Sequence, residues 1–333
     1  MRLRARSKSQ GELLRFWLRQ NDVLLGMTVD SGEGQMRKFF WTLLVGVCVV
    51  AGAQAPAVKV EATPAMWKVK GVHGTVYLFG SVHVMKPEVQ WETAKVKAAL
   101  AESDLLYLEI PDVDPEAMKA LQPLALQMGM DMEHPLSTKI SKDDVALLDT
   151  AVKGLGMPGE SSFEPLRPWM VYTILSVLPA TKAGYATDSG IDAKMAAEAK
   201  AQKKPIKGFE TAEAQLHFLA DMPESQQIVM LHKTLIDLPK SQAQLDDMVG
   251  DWTRGDVDKI AAMENDEMKV KYPDLYEKLL VQRNKHFAEV LTGMLKDPST
   301  GTVFVTIGAA HLAGPDGVGK MLERNGYTVA RVE

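Results

Sequence analysis

Two stretches of the chain carry an unbroken run of apolar positions that ends in the same way. Val76-Tyr77-Leu78-Phe79 runs into Gly80-Ser81-Val82-His83, and Val303-Phe304-Val305-Thr306-Ile307 runs into Gly308-Ala309-Ala310-His311. Short runs rich in β-branched and aromatic residues, without polar alternation, read as central strands buried on both faces. Each Gly-x-x-His then lies at a carboxyl end, where open α/β sheets hold their ligands. Gly80 and Gly308 remove a Cβ at that edge, so backbone or ligand can come close. The pattern predicts that His83 and His311 meet in one site, although more than two hundred residues separate them.

The rest of the pattern supplies a frame for these strands. Met66–Lys70, a turn at 71–74 holding an exposed His73, and residues 75–82 predict a β-hairpin. A helix follows over 91–102, then a strand over 104–110 whose apolar run is interrupted by Glu109 near its end. Residues 114–187 read as a helical insertion, rich in methionine (Met118, Met128, Met130, Met132) and best explained as core. Within it, Gly154-Leu155-Gly156-Met157-Pro158-Gly159 matches a dinucleotide fingerprint by count. It follows a helical pattern and holds a proline where a helix should begin, so it reads as a loop.

Gly190-Ile191-Asp192 opens a helix through Ala201, with Asp188 or Ser189 placed to cap it. Residues 205–209 form a short strand leading to Glu210. Helices are predicted at 224–238, 241–250, 255–265 and 274–296, the last carrying Arg283 and Asn284. After the second histidine strand come a turn at 314–317, a helix over 318–324 and a closing strand over 327–332. Strands alternating with helices at both ends predict one α/β domain with a mixed central sheet, helical flanks and the helical insertion covering the site.

Composition narrows the function. The 333 residues are 46% hydrophobic and 24% charged, with no long repeat or low-complexity tract. Met36-Arg37-Lys38, the apolar stretch from Phe39 to Val50 and Ala53-Gln54-Ala55 have the layout of a secretory signal peptide over 36–55. Residues 1–35 then read as an over-extended start ahead of Met36, and the mature domain as 56–333. The single cysteine, Cys48, falls in the removed segment, which excludes disulfides, cysteine nucleophiles and thiolate ligands from the mature chain.

The net charge of −5 becomes about −9 once the first 55 residues, with eight basic and four acidic side chains, are set aside. Such a chain is a poor partner for nucleic acid. No stretch of the mature chain is apolar and long enough to span a bilayer. An exported protein, periplasmic or secreted, is expected.

His83, His311 and Glu109 are polar residues at the ends of apolar strands. Two imidazoles and a carboxylate make a ligand set for Mn²⁺, Zn²⁺ or Fe²⁺, which would activate water for hydrolysis. Glu109 would serve as ligand or general base, Arg283 would stabilise developing negative charge or orient Glu109, and Glu210 is a further acid candidate. Set against this, a histidine at a strand end is often only a hydrogen-bonded structural residue. No H-E-x-x-H or G-x-S-x-G occurs. Ser81 and His83, two apart, would point the same way on one strand but have no evident acid partner. His134, His217, His232 and His286 lie on helices or loops, away from this pattern.

Tyr77-Leu78-Phe79-Gly80-Ser81-Val82-His83, Leu106-Tyr107-Leu108-Glu109, Gly190-Ile191-Asp192, Gly208-Phe209-Glu210-Thr211, Arg283-Asn284 and Gly308-Ala309-Ala310-His311-Leu312 occur in the order seen in the TraB/GumN family. The resemblance runs from about Trp67 to the end. The family is related to the Tiki proteins, proposed to be metal-dependent proteases, and is similar to the erythromycin-esterase and ChaN-like group. It implies His83 and His311 as the paired Gly-x-x-His histidines, Glu109 as the strand-end acid and Arg283 as the arginine. Threonine is usual where this chain has Ser81. The resemblance thus implies an exported metal-dependent hydrolase acting on peptide or small-molecule substrates. The alternatives it leaves are a haem- or iron-binding protein of ChaN-like type, with Tyr77, Tyr107 or a histidine as axial ligand, a metal-independent esterase, and a scaffold whose histidines only hold the sheet ends together.

Overall fold

The structure, a computed structural model, describes residues 60–111, 113 and 115–332. The signal segment at 36–55 and Cys48 lie outside the described residues. Two compact units are present. One comprises Lys119–Lys182 with Leu219–Ser241; the other runs up to Met118 and adds Ala183–Phe218 and Gln242–Glu333.

The second unit is built on the sheet that the apolar pattern predicts. Its strands are β2 (Met66–Lys70), β3 (Thr75–Ser81), β5 (Leu105–Leu108), β6 (Ile206–Gly208), β7 (Thr302–Gly308) and β8 (Val329–Arg331), in the order β6-β5-β7-β3-β2-β8. A separate two-stranded ladder pairs β1 (Val60–Glu61) with β4 (Val89–Gln90). From β6 to β3 the sheet is parallel; β2 and β8 are antiparallel additions at one side. This is the mixed sheet expected from the sequence. The two histidine strands are neighbours in register, Tyr77 opposite Phe304 and Ser81 opposite Gly308. Both Gly-x-x-His ends therefore leave the sheet at one edge.

Each face of the sheet has its own packing, and both bring helices to that edge. On one face Val76, Leu78, Val303, Val305 and Ile307 bury against Phe287, Leu291 and Leu295 of the helix Gln282–Lys296 and against Val318 and Leu322. Full burial of such side chains stabilises by about 1.5–3 kcal/mol each. On the other face Phe79 packs within 6.0 Å of the rings of Trp91, Trp252 and Phe304. The Trp252 indole N–H donates to the Gly80 carbonyl at 2.9 Å, tying this aromatic layer to the strand end.

Several predicted elements are corrected in detail. The first helix begins at Ala94, with Thr93 accepting from the Val96 N–H as its cap, and the following strand stops at Leu108. The helix Ile191–Ala201 is capped by neither Asp188 nor Ser189. The Val82 carbonyl accepts the Ile191 N–H at 3.0 Å instead. A Cβ on Gly190 would fall 2.1 Å from the His83 carbonyl oxygen, so the strand exit lies against the helix start and takes over the capping role.

The predicted helices at 224–238 and 241–250 are one helix, Glu224–Arg254, that passes through Pro239. The helix predicted at 255–265 divides into Val257–Ile260 and a π-helical Ala261–Asp266. That at 274–296 becomes Pro273–Tyr276, a π-helical Glu277–Val281 and Gln282–Lys296. The widened turns shift the phase of the side chains that follow, a change that apolar spacing alone does not encode.

The first unit is helical, with Gln122–Gly129, Lys142–Gly154 and Pro168–Lys182 as its main elements besides the passage of Glu224–Arg254. Asp144, buried, receives the Ser141 hydroxyl at 2.7 Å and holds His232 at 2.6 Å. Gly154 closes the helix Lys142–Gly154 and residues 155–159 are a loop before the next helical turn, as the sequence context predicts.

Candidate active site

Four of the five predicted residues form one buried ion cluster at the carboxyl ends of the parallel strands. Glu109 follows β5, Glu210 follows β6, His311 lies in the short helix Ala309–Leu312 after β7, and Arg283 stands on the first turn of Gln282–Lys296. The Arg283 guanidinium grips Glu210 with a fork, Nε to Oε1 and Nη2 to Oε2, both at 2.8 Å. Its Nη2 also reaches Glu109 Oε2 at 2.8 Å, and its Nη1 donates to His311 Nε2 at 3.0 Å and to the Leu279 carbonyl at 3.3 Å. The carbonyl belongs to the π-helical turn preceding Arg283, so the widened turn is part of the arginine's seat.

The other Glu109 oxygen accepts the Gly308 N–H at 2.6 Å, and Gln215 bridges the two carboxylates from Nε2, at 3.4 Å to Glu109 and 2.9 Å to Glu210. A Cβ on Gly308 would stand 3.1 Å from Glu109 Oε1 and 3.4 Å from the His311 ring. Glycine is what lets the carboxylate lie against the strand end. Burial works to raise the Glu109 pKa, but the charges of His311, Arg283 and His83 and the Gly308 N–H overcome it and hold the group at about 2.

The protonation pattern of His311 follows from its neighbours. Asn284, fully buried, donates Nδ2–H to the Asp316 carbonyl at 2.7 Å, which turns its Oδ1 toward His311 Nδ1 at 2.5 Å. That nitrogen must carry the proton, leaving Nε2 to accept from Arg283. Burial pushes the ring down to about 4, with Arg283 adding to the effect and Glu109 opposing it. Asn265, in the first π-helical turn, donates Nδ2–H to the carbonyls of Ala310 and Ala313 at 3.1 and 3.2 Å and fixes the turn that carries His311.

His83 behaves differently. Its Nδ1 meets Asp192 Oδ2 at 2.8 Å while 69% of its side-chain surface stays open. Desolvation lowers its pKa, but the charge and hydrogen bond of Asp192 more than offset this and raise the ring to about 9. Glu109 and Arg283 act on its charge, and it acts in turn on Glu109 and His311, so the two histidine ends are electrostatically linked.

The acid partner of His83 is thus Asp192, on the helix whose start abuts the strand exit. In the sequence Gly190-Ile191-Asp192 reads as a helix opening and as one of the ordered family motifs, but nothing in its spacing to His83 marks the pair. Asn284 was named only for its place beside Arg283, and Gln215 had no signal at all. The expectation that Ser81 and His83 point the same way is corrected: β3 ends at Ser81, whose buried hydroxyl has no hydrogen-bond partner. The missing Ser81–His83 contact leaves no nucleophile–base pair there.

The tyrosines proposed as axial ligands have other tasks. The Tyr77 hydroxyl is held by Lys68 and Glu102, four residues before the strand end, about 13 Å from the edge at strand rise. Tyr107 packs edge-on to Phe209 at 4.6 Å.

The donor set is not arranged for a metal ion. Among the described residues no three His, Cys, Asp or Glu side chains come together as a metal-holding group. Glu109 has both oxygens engaged, and His311 Nε2 faces a guanidinium N–H. Of the three predicted ligands only His83 keeps a ring nitrogen, Nε2, without such a partner. No helix among the described residues is long and apolar enough to cross a membrane.

Comparison with known proteins places this geometry in a family. The chain is 25% identical over 250 residues to the uncharacterised protein YbaP of Escherichia coli, covering 74% of this chain and 87% of that one. It is 26% identical over 297 residues to metalloprotease TIKI1 of Danio rerio, covering 76% of this chain and 60% of the zebrafish protein. It is 23% identical over 316 residues to the metalloprotease TIKI homolog of Nematostella vectensis, covering 80% of this chain and 67% of that one. No solved structure matches. The model of the TraB/PrgY/gumN family matches residues 65–331, from β2 to the last strand and so across every residue of the site, and the chain belongs to that family.

Proposed function

We propose that this protein is a hydrolase of peptide bonds in which His83 moves the proton. The observation that carries the reading is the His83–Asp192 pair: Nδ1 is held at 2.8 Å by a carboxylate, and the ring is open on its other side. A histidine fixed through one nitrogen presents the other in a defined direction, as general base to a water and then as general acid to the leaving amine. Asp192 sets the tautomer and stabilises the imidazolium formed between the two steps. The Glu109–Arg283–Glu210–His311 cluster supplies a rigid, charged wall beside it.

The choice of peptide over ester rests on the Tiki relatives, which carry the name metalloprotease. The same pair would also serve ester hydrolysis. A metal-dependent form of the reaction, with Mn²⁺, Zn²⁺ or Fe²⁺, is supported by those names alone. The side chains as they stand do not fit it, and the steps above need only the chain's own residues. Export of the mature domain to the periplasm or medium belongs to the same reading.

The test is cleavage of a peptide library, read by mass spectrometry, beside a panel of aryl esters, with protein begun at Pro56. Peptide cleavage that falls about 10²–10⁴-fold in His83→Ala is expected. Cleavage unchanged in His83→Ala, or no cleavage of any peptide, overturns the reading. Ester turnover without peptide turnover would move it to an esterase.

A further inference from the structure

The family resemblance would make His83, His311 and Glu109 a metal centre, and the geometry disagrees at two of the three. We propose that Arg283 is the resident cation of this site: Glu109, Glu210 and His311 are the partners of its guanidinium and not ligands of a metal ion.

A guanidinium has five N–H donors in a rigid fork. In Arg283 every one has a partner: Nε and one Nη2 donor on Glu210, the second Nη2 donor on Glu109, and the two Nη1 donors on His311 Nε2 and the Leu279 carbonyl. A cation used in this way has no donor left over for a substrate oxygen, so it holds the wall together and does not bind an oxyanion.

The partners are equally committed. Glu109 Oε1 accepts the Gly308 N–H and stands 3.6 Å from His311 Nε2, and its Oε2 accepts from Arg283 and Gln215. His311 offers only Nε2, because Asn284 fixes the proton on Nδ1, and Nε2 already accepts from Arg283. A divalent ion on Glu109 and His311 would have to lie against the guanidinium. Two cations in a buried place repel strongly at low local dielectric. Metal and Arg283 therefore exclude each other there. The charge count sets up the exchange: one guanidinium leaves the two buried carboxylates with a net charge of −1, and a divalent ion in its place would neutralise them in full.

The consequence separates the two histidines. Any divalent ion that the wild-type protein takes up would depend on His83 and be indifferent to Glu109 and His311. Removing Arg283 would release two carboxylates and an imidazole together, a donor set of the kind that holds Mn²⁺ or Zn²⁺.

Equilibrium dialysis against Mn²⁺ and Zn²⁺, with bound metal counted by mass spectrometry, tests this on the full mature chain. The proteins are wild type, His83→Ala, Glu109→Gln, His311→Ala and Arg283→Met, the last keeping side-chain length without charge. Wild type is expected to bind no equivalent that Glu109→Gln or His311→Ala abolishes. Folded Arg283→Met is expected to bind Mn²⁺ about tenfold tighter or more, the scale of effects that neighbouring groups have on metal sites. Uptake lost only in His83→Ala also supports the proposal.

One equivalent in wild type that is lost in Glu109→Gln or in His311→Ala overturns it, as does a folded Arg283→Met with no gain. Should Arg283→Met fail to fold, the wild-type, Glu109→Gln and His311→Ala measurements decide alone. Peptide cleavage plays no part in the readout, so failure of the hydrolase reading leaves this result standing, and the reverse.

Discussion

His83 and His311 end adjacent strands on the same four-residue pattern, yet the fold puts them to opposite uses. His83 keeps 69% of its side chain open, leans on a carboxylate and has its pKa raised to about 9. His311 is 7% exposed, leans on an amide and a guanidinium, and is pushed down to about 4. The difference comes from what each glycine-ended strand meets. At β3 the exit abuts the start of Ile191–Ala201, which brings up Asp192. At β7 the exit turns at once into a short helix beneath Asn284 and Arg283. An identical motif therefore carries no fixed role: one histidine is a surface group with a free nitrogen, the other a buried member of a network.

The buried end should break hardest. Arg283→Ala leaves Glu109 and Glu210 buried without their cation, a loss of about 3–5 kcal/mol for a broken buried pair. Urea unfolding of protein begun at Pro56 would show it as a lowered midpoint. A change under about 1 kcal/mol would mean that the cluster is more solvated than its side-chain exposures of 7–15% indicate. Asn284→Ala comes next. It strips the acceptor from His311 Nδ1 and leaves the Asp316 carbonyl unpaired, with a cost of about 1–3 kcal/mol. Asn284→Leu, similar in size, should be no milder, since shape is not what the amide supplies.

How much of this was legible in the sequence depends on distance along the chain. The apolar runs of β3 and β7 announce buried neighbours, and the Gly-x-x-His ends announce a shared edge, because both signals are local and periodic. Glu109 was visible for the same reason, as a charge where an apolar run should continue. Asp192 stood in the sequence within a motif, but its pairing with His83 did not, since that is made by the contact of a helix start with a strand exit, of which a Cβ-free Gly190 is the local trace. The role of Arg283 was half visible. The residue stands out on its helix, but the π-helical turn that directs it at His311 has no signature in spacing, and without that turn it reads as an oxyanion donor instead of a saturated cation.

Acid should also set the two ends apart. Glu109 is held at about 2 against an ordinary value of 4.5, so it contributes stability above pH 4.5 that is lost as pH falls toward 2. His311 sits at about 4 against 6.5. The unfolded ring takes up its proton first as pH drops below 6.5, so stability falls between pH 6.5 and 4. Both act in one direction, and melting temperature should decline steadily from pH 6.5 downward. His311→Phe should flatten the upper part of that decline, while His83→Ala should leave it in place. A decline unaffected by His311→Phe would place the acid sensitivity elsewhere.

The open end offers the smallest effect on stability and the sharpest one on chemistry. The raised pKa of His83 means that the ring binds its proton more tightly folded than unfolded, so its contribution is complete below pH 6.5 and is lost as pH rises through about 9. With most of the ring in solvent, the pair is screened, and Asp192→Asn should alter stability by no more than about 1 kcal/mol. Its effect on hydrolysis is different in kind. If His83 acts as the base, kcat/KM for a cleaved peptide rises with pH along a limb near 9, because only the neutral ring accepts a proton from water. Asp192→Asn removes the charge that holds the proton, so the limb should move down toward 6.5 while the maximum rate falls. A structural role for Asp192 would lower the rate at every pH and leave the limb where it was. A limb near 9 that persists in the residual activity of His83→Ala would detach His83 from the rate and leave the Asp192 pair without a part in the chemistry.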